Sequence, residues 1–266
     1  MGRSDEHNNI IDSVALDTNV NIKNIASDIK FLTFPEQITN ADFEVYTDGS
    51  RMEDETGFSV CTFQNNQNID NFLYKLKSHN SVFQAEMAAI RHAANWAAKN
   101  NYKINIHTDS LSSIMALKSA HSRSQFVNNS KKDLYLAKNL VGLSWVKAHV
   151  GIPGNEWADQ QAKKAICSGE ELDIPAPRSY LNRKVKAYII HAWTEYWNRY
   201  NSASGIRVGM VRSHSIYTVL KNLTLRSASA YRWAMLTTIP FLARSPKITI
   251  LRNPQTPINE PGFLTF

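Results

Sequence analysis

The chain has 266 residues, 43% hydrophobic, 20% charged and 10% aromatic, a balance that excludes wholesale disorder and suits one large domain or a medium domain with extensions. Two cysteines, Cys61 and Cys167, are too few and too far apart for a disulfide framework or a thiolate zinc site; with the polar start Met1–His7 they point to an intracellular protein, nuclear or cytoplasmic, without a secretory signal. The net charge of +7 is uneven: residues 175–266 hold 13 Lys/Arg against two acids, whereas residues 1–174 hold 17 against 21, so the basic end calls for a polyanionic partner, and no apolar run is long enough to span a bilayer.

Residues 1–40 show no sustained period and read as a linker or the remnant of an upstream domain. From Phe43 the pattern sharpens. Phe43, Val45 and Thr47 share one face of a strand and Glu44, Tyr46 and Asp48 the other, with Asp48-Gly49-Ser50 as a closing turn. Phe58–Phe63 and Phe72–Leu76 alternate in the same way around a turn at Asn65–Asn68, which makes three strands of an antiparallel meander. Ser81 is a helix N-cap, and the helix from Val82 to Lys99 aligns Glu86, Ile90, Ala93 and Ala97 on one stripe. An ionised acid on that stripe is costly, so Glu86 either lies at its edge or is held by something cationic. A strand at Lys103–Thr108 ends in Asp109-Ser110, followed by helices at Leu111–Ser119 and Gln125–Lys138, a strand at Val141–Lys147, the loop Ala148–Gly154 and a helix from about Asn155 that carries Asp159. Trp145 and Trp157 read as core residues. Pro175-Ala176-Pro177 marks a boundary, beyond which Tyr180–Tyr200 reads as a basic amphipathic helix, Asn201–Gly205 as a break and Tyr217–Leu236 as a further helix before a proline-bearing end.

This order of elements predicts an α/β layered domain in which crossover helices make the later strands parallel to the first. Asp48 and Asp109 then stand at strand ends on the ligand-binding edge of an open sheet, joined by Glu86 and Asp159 from helices. Four carboxylates without compensating lysines make chemical sense around divalent cations, and their hard oxygens select Mg²⁺ or Mn²⁺. A pair of such ions is the clamp for an in-line displacement at phosphorus.

The stretches Thr47-Asp48-Gly49-Ser50, Gln84-Ala85-Glu86, Thr108-Asp109-Ser110 and Trp145–Asp159 resemble the four motifs of a type 1 ribonuclease H, in the form carried by LINE-type (jockey-like) retrotransposon polyproteins. The resemblance covers about residues 41–168. It implies a mixed five-stranded sheet, three antiparallel strands then parallel ones, flanked by helices, in a domain at 41–170 with a basic, mostly helical extension at 171–266. It also implies that Asp48, Glu86, Asp109 and Asp159 bind two Mg²⁺ ions, with Mn²⁺ as a substitute, and that His149 on a mobile loop assists proton transfer or product release. By the same resemblance Asn155 contacts substrate near the scissile phosphate, and Ser50, Ser81 and Ser110 lie near the substrate backbone. The implied reaction is endonucleolytic hydrolysis of the RNA strand of an RNA/DNA hybrid.

Two features depart from the family pattern. The loop before Glu86 reads Ser81-Val82-Phe83-Gln84, where only Ser81 can donate to a phosphate, and only His121-Ser122-Arg123-Ser124 stands where some members insert a basic helix-loop. The basic carboxyl-terminal region would then supply hybrid affinity. The 266 residues contain no reverse transcriptase pattern, so a polymerase module enters as a separate partner and the chain resembles a fragment or freestanding remnant of a polyprotein. Two alternatives stay open: a catalytically silent nucleic-acid-binding remnant, and another polynucleotidyl transferase of the same fold.

Overall fold

The computed structural model describes residues 14–198, and the chain divides into two compact units after Tyr180. The break at 201–205, the helix expected around Tyr217–Leu236 and the proline-bearing end lie outside the described residues.

The first unit is built on a sheet of six strands in the order β5-β4-β1-β2-β3-β6. Strands β1 (Phe43–Met52), β2 (Glu55–Gln64) and β3 (Gln67–Leu76) form the antiparallel meander; β4 (Ile104–Thr108) and β5 (Val141–Trp145) add in parallel on the β1 side. This is the mixed sheet of a ribonuclease H-like fold. It has one more strand than expected, because Glu170–Glu171 (β6) pairs in parallel with Tyr74 and Lys75 of β3. A two-residue strand has too few residues to show a period.

The helices, with α1 a single turn at Ser27–Lys30, cover both faces of the sheet. Helix α2 (Val82–Asn100) opens with the capping box Ser81/Gln84 and ends where Asn101 turns left-handed, at φ 56°. Its buried stripe, including Ile90, Ala93 and Ala97, packs with Val45, Phe58, Val60, Ile104 and Ile106 in the core. Helices α3 (Leu111–Lys118) and α4 (Gln125–Leu136) follow β4, and α5 (Pro153–Ser168) lies on the opposite face from α2. The face assignment follows from alternation. Gly49 of β1 abuts Ala85 and Glu86 of α2, whereas Tyr46 abuts Gly154 of α5 and the Ser59 hydroxyl donates to the Ala158 carbonyl at 2.8 Å. At Gly57 an added Cβ would come within 2.9 Å of the Ile166 nitrogen, so α5 sits directly on the sheet.

Residues 14–40 run along the domain as a strap with little regular structure. The Asp17 carboxylate accepts from the Phe126 N–H (2.9 Å) and the Ser124 hydroxyl at the start of α4, Leu143 N–H of β5 donates to the Pro35 carbonyl, and Asn105 of β4 accepts from Ile38 N–H. Leu32 is buried in the core. The buried Lys131 ammonium donates to the carbonyls of Lys30 and Ser119, the C-terminal ends of α1 and α3. The edge of β5 is thereby covered rather than left open. The segment around Pro175 is tied to the same strap, Ala176 exchanging backbone hydrogen bonds with Ala15 and Asp17.

Of the second unit, the described part continues the helix α6 (Arg178–Asn198), where the Thr194 hydroxyl donates to the Ile190 carbonyl and His191 stands 3.5 Å from Glu195. Among the described residues no helix is long and apolar enough to cross a membrane.

Candidate metal and nucleic-acid site

Asp48 is not at a turn. Strand β1 continues through Gly49, Ser50, Arg51 and Met52, all paired with β2, and the hairpin turns at Glu53-Asp54. What opens the strand at Asp48 is the end of its parallel neighbour: the last β1–β4 pair is Thr47 with Thr108, so the flank of β1 beyond it lacks a strand partner. Asp109 follows Thr108 directly and stands at that opening.

Glu86 reaches the opening from the other face of the sheet. An added Cβ at Gly49 would lie 2.8 Å from the Glu86 nitrogen, 3.0 Å from Ala85 Cβ and 3.1 Å from Glu86 Cγ. Gly49 is therefore the space through which the first turns of α2 approach β1. One carboxylate oxygen each from Asp48, Glu86 and Asp109 lie within 4.8 Å of one another.

The three acids repel, and Asp48 and Glu86 are buried as well. Burial, followed by the charges of Asp109 and Asp159, pushes the Asp48 carboxyl up to about 7, offset in part by the Gly49 N–H and Lys163. Burial, followed by the charges of Asp48 and Asp109, raises Glu86 well above the usual carboxylate range. Glu86 is 5% exposed and its Oε2 has no hydrogen-bond partner. A buried, orphaned carboxylate oxygen facing two more acids is the environment a divalent cation resolves, and an all-oxygen donor set fits a hard ion such as Mg²⁺ or Mn²⁺. The residues present fit the group that the sequence implies.

Asp159 stands apart from these three. It is half-buried on α5, and its Oδ2 accepts from Lys163 Nζ at 2.6 Å, one turn further along the helix. His149 is exposed on the loop between β5 and α5, at φ 54°, a conformation that a non-glycine residue adopts uncommonly. Ser50 is half-buried two residues beyond Asp48 on the same face of β1. Ser81 accepts from the Gln84 N–H as the cap of α2, which leaves its hydroxyl proton free to donate. Ser110 precedes α3, its hydroxyl donating to Ser113 Oγ at 2.9 Å. Val82 and Gln84 belong to the first turn of α2 rather than to a loop. Asn155 is 2% exposed and donates from Nδ2 to Asp109 Oδ2 at 3.1 Å.

Several neighbours of the site were not readable as such. Trp145 is 49% exposed, not core, and its indole N–H donates to the Asp109 carbonyl at 3.0 Å. Trp157 is likewise on the surface, donating to Asn71 with Lys164 over its ring. Behind Asp48, on the α5 face, the ring of Tyr46 stacks on His107 at 4.7 Å, and His107 is fixed between Glu44 (2.6 Å) and Ser144 (2.7 Å). Gly154 packs on Tyr46 so closely that an added Cβ would collide with the ring, which sets the start of α5. Strand alternation signals the shared face of Glu44, Tyr46 and His107; nothing in the sequence signals the partner choice of Asn155 or Trp145.

The RNase H family profile matches residues 40–167. Among solved structures, the native crystal structure of the prototype foamy virus protease-reverse transcriptase is similar at 17% sequence identity and a TM-score of 0.42, over 52% of this chain and 22% of that one. No curated protein matches the chain. The profile match spans the five long strands, the helices between them and all of the acids just described, and residues 40–167 are an RNase H domain.

Proposed function

We propose that this domain hydrolyses the RNA strand of RNA/DNA hybrids endonucleolytically with divalent cations, as the domain of a LINE-type retroelement polyprotein or a remnant of one. The observation that carries the reading is the meeting of Asp48, Glu86 and Asp109 within 4.8 Å in a domain of this family, with one buried carboxylate oxygen unpartnered. Hydrolysis forms a bond from water oxygen to phosphorus and breaks the bond to the 3′ oxygen, leaving a 5′-phosphate and a 3′-hydroxyl. Activation of the attacking water and stabilisation of the leaving oxygen are the chemistry that a pair of Mg²⁺ ions supplies at such a site.

Asp48, Glu86 and Asp109 hold the cations in this reading, and Asp159 completes the set from α5. His149, exposed on its loop, moves a proton or lets the cut product leave. Ser50, Ser81 and Ser110 offer hydroxyls to the hybrid backbone, and RNA is distinguished from DNA by its 2′-hydroxyls across the shallow minor groove. The 13 Lys/Arg in residues 175–266 support a hybrid-binding role for the basic carboxyl-terminal region, with a reverse transcriptase module as a separate partner.

The deciding experiment is cleavage of a labelled RNA/DNA hybrid in Mg²⁺ by the full chain and by Asp48→Asn and Asp109→Asn. Cleavage by the wild type alone is expected. Equal activity in all three would locate the chemistry elsewhere, and none in any would favour a silent binding domain. For the basic region, deletion of 181–266 is expected to weaken hybrid binding and flatten its salt dependence; an unchanged slope removes that role.

A further inference from the structure

We propose that Asn155 is a positioning residue for Asp109, and that the site's affinity for a divalent cation depends on the hydrogen bond between them; the inference rests on the function proposed above.

Asp109 occupies the short link between β4 and α3, where neither strand pairing nor helix geometry fixes its side chain. Its backbone carbonyl is held twice, by the Leu111 N–H and the Trp145 indole N–H, each at 3.0 Å. The Ser110 N–H turns away to Thr108 Oγ1. Among the described residues the one hydrogen bond to the Asp109 carboxylate comes from Asn155 Nδ2, at 3.1 Å. An amide oxygen facing a carboxylate would repel, so the orientation of this amide is decided by chemistry.

Asn155 is poorly explained as packing. It is 2% exposed, and its Oδ1 has no hydrogen-bond partner. A buried amide with one end unsatisfied is costly, and an apolar side chain of the same volume would fill the space without that cost. What the amide adds is a donor aimed at Asp109. It adds that donor without charge, whereas Lys163, which grips Asp159, carries a cation that competes with a metal for the same negative field. Holding one oxygen of Asp109 leaves the other for a metal ion and fixes the rotamer, as outer-shell partners of metal ligands do. The support runs deeper still, since Gly154 is pressed on Tyr46, Tyr46 on His107, and His107 is pinned by Glu44 and Ser144. The donor is thus mounted on a part of the fold with little freedom to shift.

The test is a calorimetric titration of Mn²⁺ into the full chain without nucleic acid, for wild type, Asn155→Ala, Asn155→Leu and Asp109→Asn, with hybrid cleavage measured beside it. Leu keeps the branched shape and leaves no cavity, so a variant that fails to fold from lost packing does not end the test; thermal melting identifies that case. Both Asn155 variants are expected to bind Mn²⁺ roughly tenfold to a hundredfold more weakly. Cleavage should fall through kcat, recover as Mn²⁺ is raised, and keep its KM for the hybrid. Wild-type Mn²⁺ affinity in a folded Asn155 variant overturns the inference, and a raised KM beside it would make Asn155 a substrate contact instead. Weakened Mn²⁺ binding in a chain whose wild type does not cleave hybrids would keep the inference and remove the proposed activity.

Discussion

Asp48, Glu86 and Asp109 are held differently from Asp159 and His149. The first three come from a continuing strand, the first turns of α2 and the end of β4: backbone packing sets the first two, β1 in register with β2 and α2 against Gly49, and hydrogen bonds from the Trp145 and Asn155 side chains hold Asp109. Asp48 and Glu86 cannot move apart without shifting α2 against the sheet. Asp159 and His149 come from one helix and the loop before it, the acid neutralised by a lysine on its own helix and the imidazole exposed. The rigid group carries uncompensated charge that burdens the fold, while the other has settled its charge locally. In the proposed function the first is the cation platform and the second adjusts as substrate and product pass.

The largest effect should come from removing charge within the rigid group. Asp48→Asn, Glu86→Gln or Asp109→Asn should each reduce hybrid cleavage to background in Mg²⁺, whereas Asp159→Asn should leave measurable cleavage and most of the Mn²⁺ affinity measured without nucleic acid. If Asp159→Asn abolishes Mn²⁺ binding as fully as Asp48→Asn does, the division between the two groups is wrong.

Next is Gly49→Ala. Its Cβ would meet the Glu86 nitrogen at 2.8 Å, and this neighbour is helix backbone, which cannot swing aside. Displacing α2 should cost about 1–3 kcal/mol in denaturant unfolding and weaken Mn²⁺ binding as well. An alanine at Gly151, where nothing lies within 4 Å but φ is +83°, should cost only its local backbone strain and leave Mn²⁺ affinity unchanged.

The acids and their order could be read from the residues because strands repeat every two residues and helices every 3.6, and Asp48, Glu86 and Asp109 sit within or directly after clear periods. The strap at 14–40 could not, since it is held by carbonyls and isolated polar side chains such as Asp17, Asn105 and Lys131, which impose no period. The pair Asp48-Gly49 suggests a turn where the strand in fact continues, for a related reason. Asp-Gly is common in turns, but here the glycine serves the approach of a helix, a contact with Ala85 and Glu86 far along the chain. The asymmetry among the acids was half visible, as Lys163 lies four residues after Asp159, at helical pairing distance.

A smaller effect concerns stability without metal. An acid whose folded pKa stands above its unfolded value binds its proton more tightly when folded, so stability falls as pH rises through the interval between the two. For Asp48 that interval runs from its ordinary value of 3.8 to about 7. The melting temperature of the metal-free chain, measured relative to Asp48→Asn, should therefore decline over that window, and the variant should be more stable at pH 8 by roughly 0.5–2 kcal/mol. Mg²⁺ should raise the wild-type melting temperature at pH 8 and much less at pH 5, where a proton occupies the place of the cation. A flat difference between wild type and variant would mean that Asp48 is not strained.

The smallest effect tests the other group. Lys163→Gln breaks the pair with Asp159, but an exposed i, i+4 ion pair on a helix contributes only a few tenths of a kcal/mol, so unfolding should barely change. Its effect on the site should have the opposite sign to that of any change among Asp48, Glu86 and Asp109. Freeing Asp159 returns an uncompensated carboxylate to the edge of the cluster and removes a cation that draws the Asp48 pKa down. Mn²⁺ should then bind as tightly as in wild type or more tightly. Weaker binding in Lys163→Gln would mean that the lysine orients Asp159 for the metal, and the locally settled acid would belong to the rigid group after all.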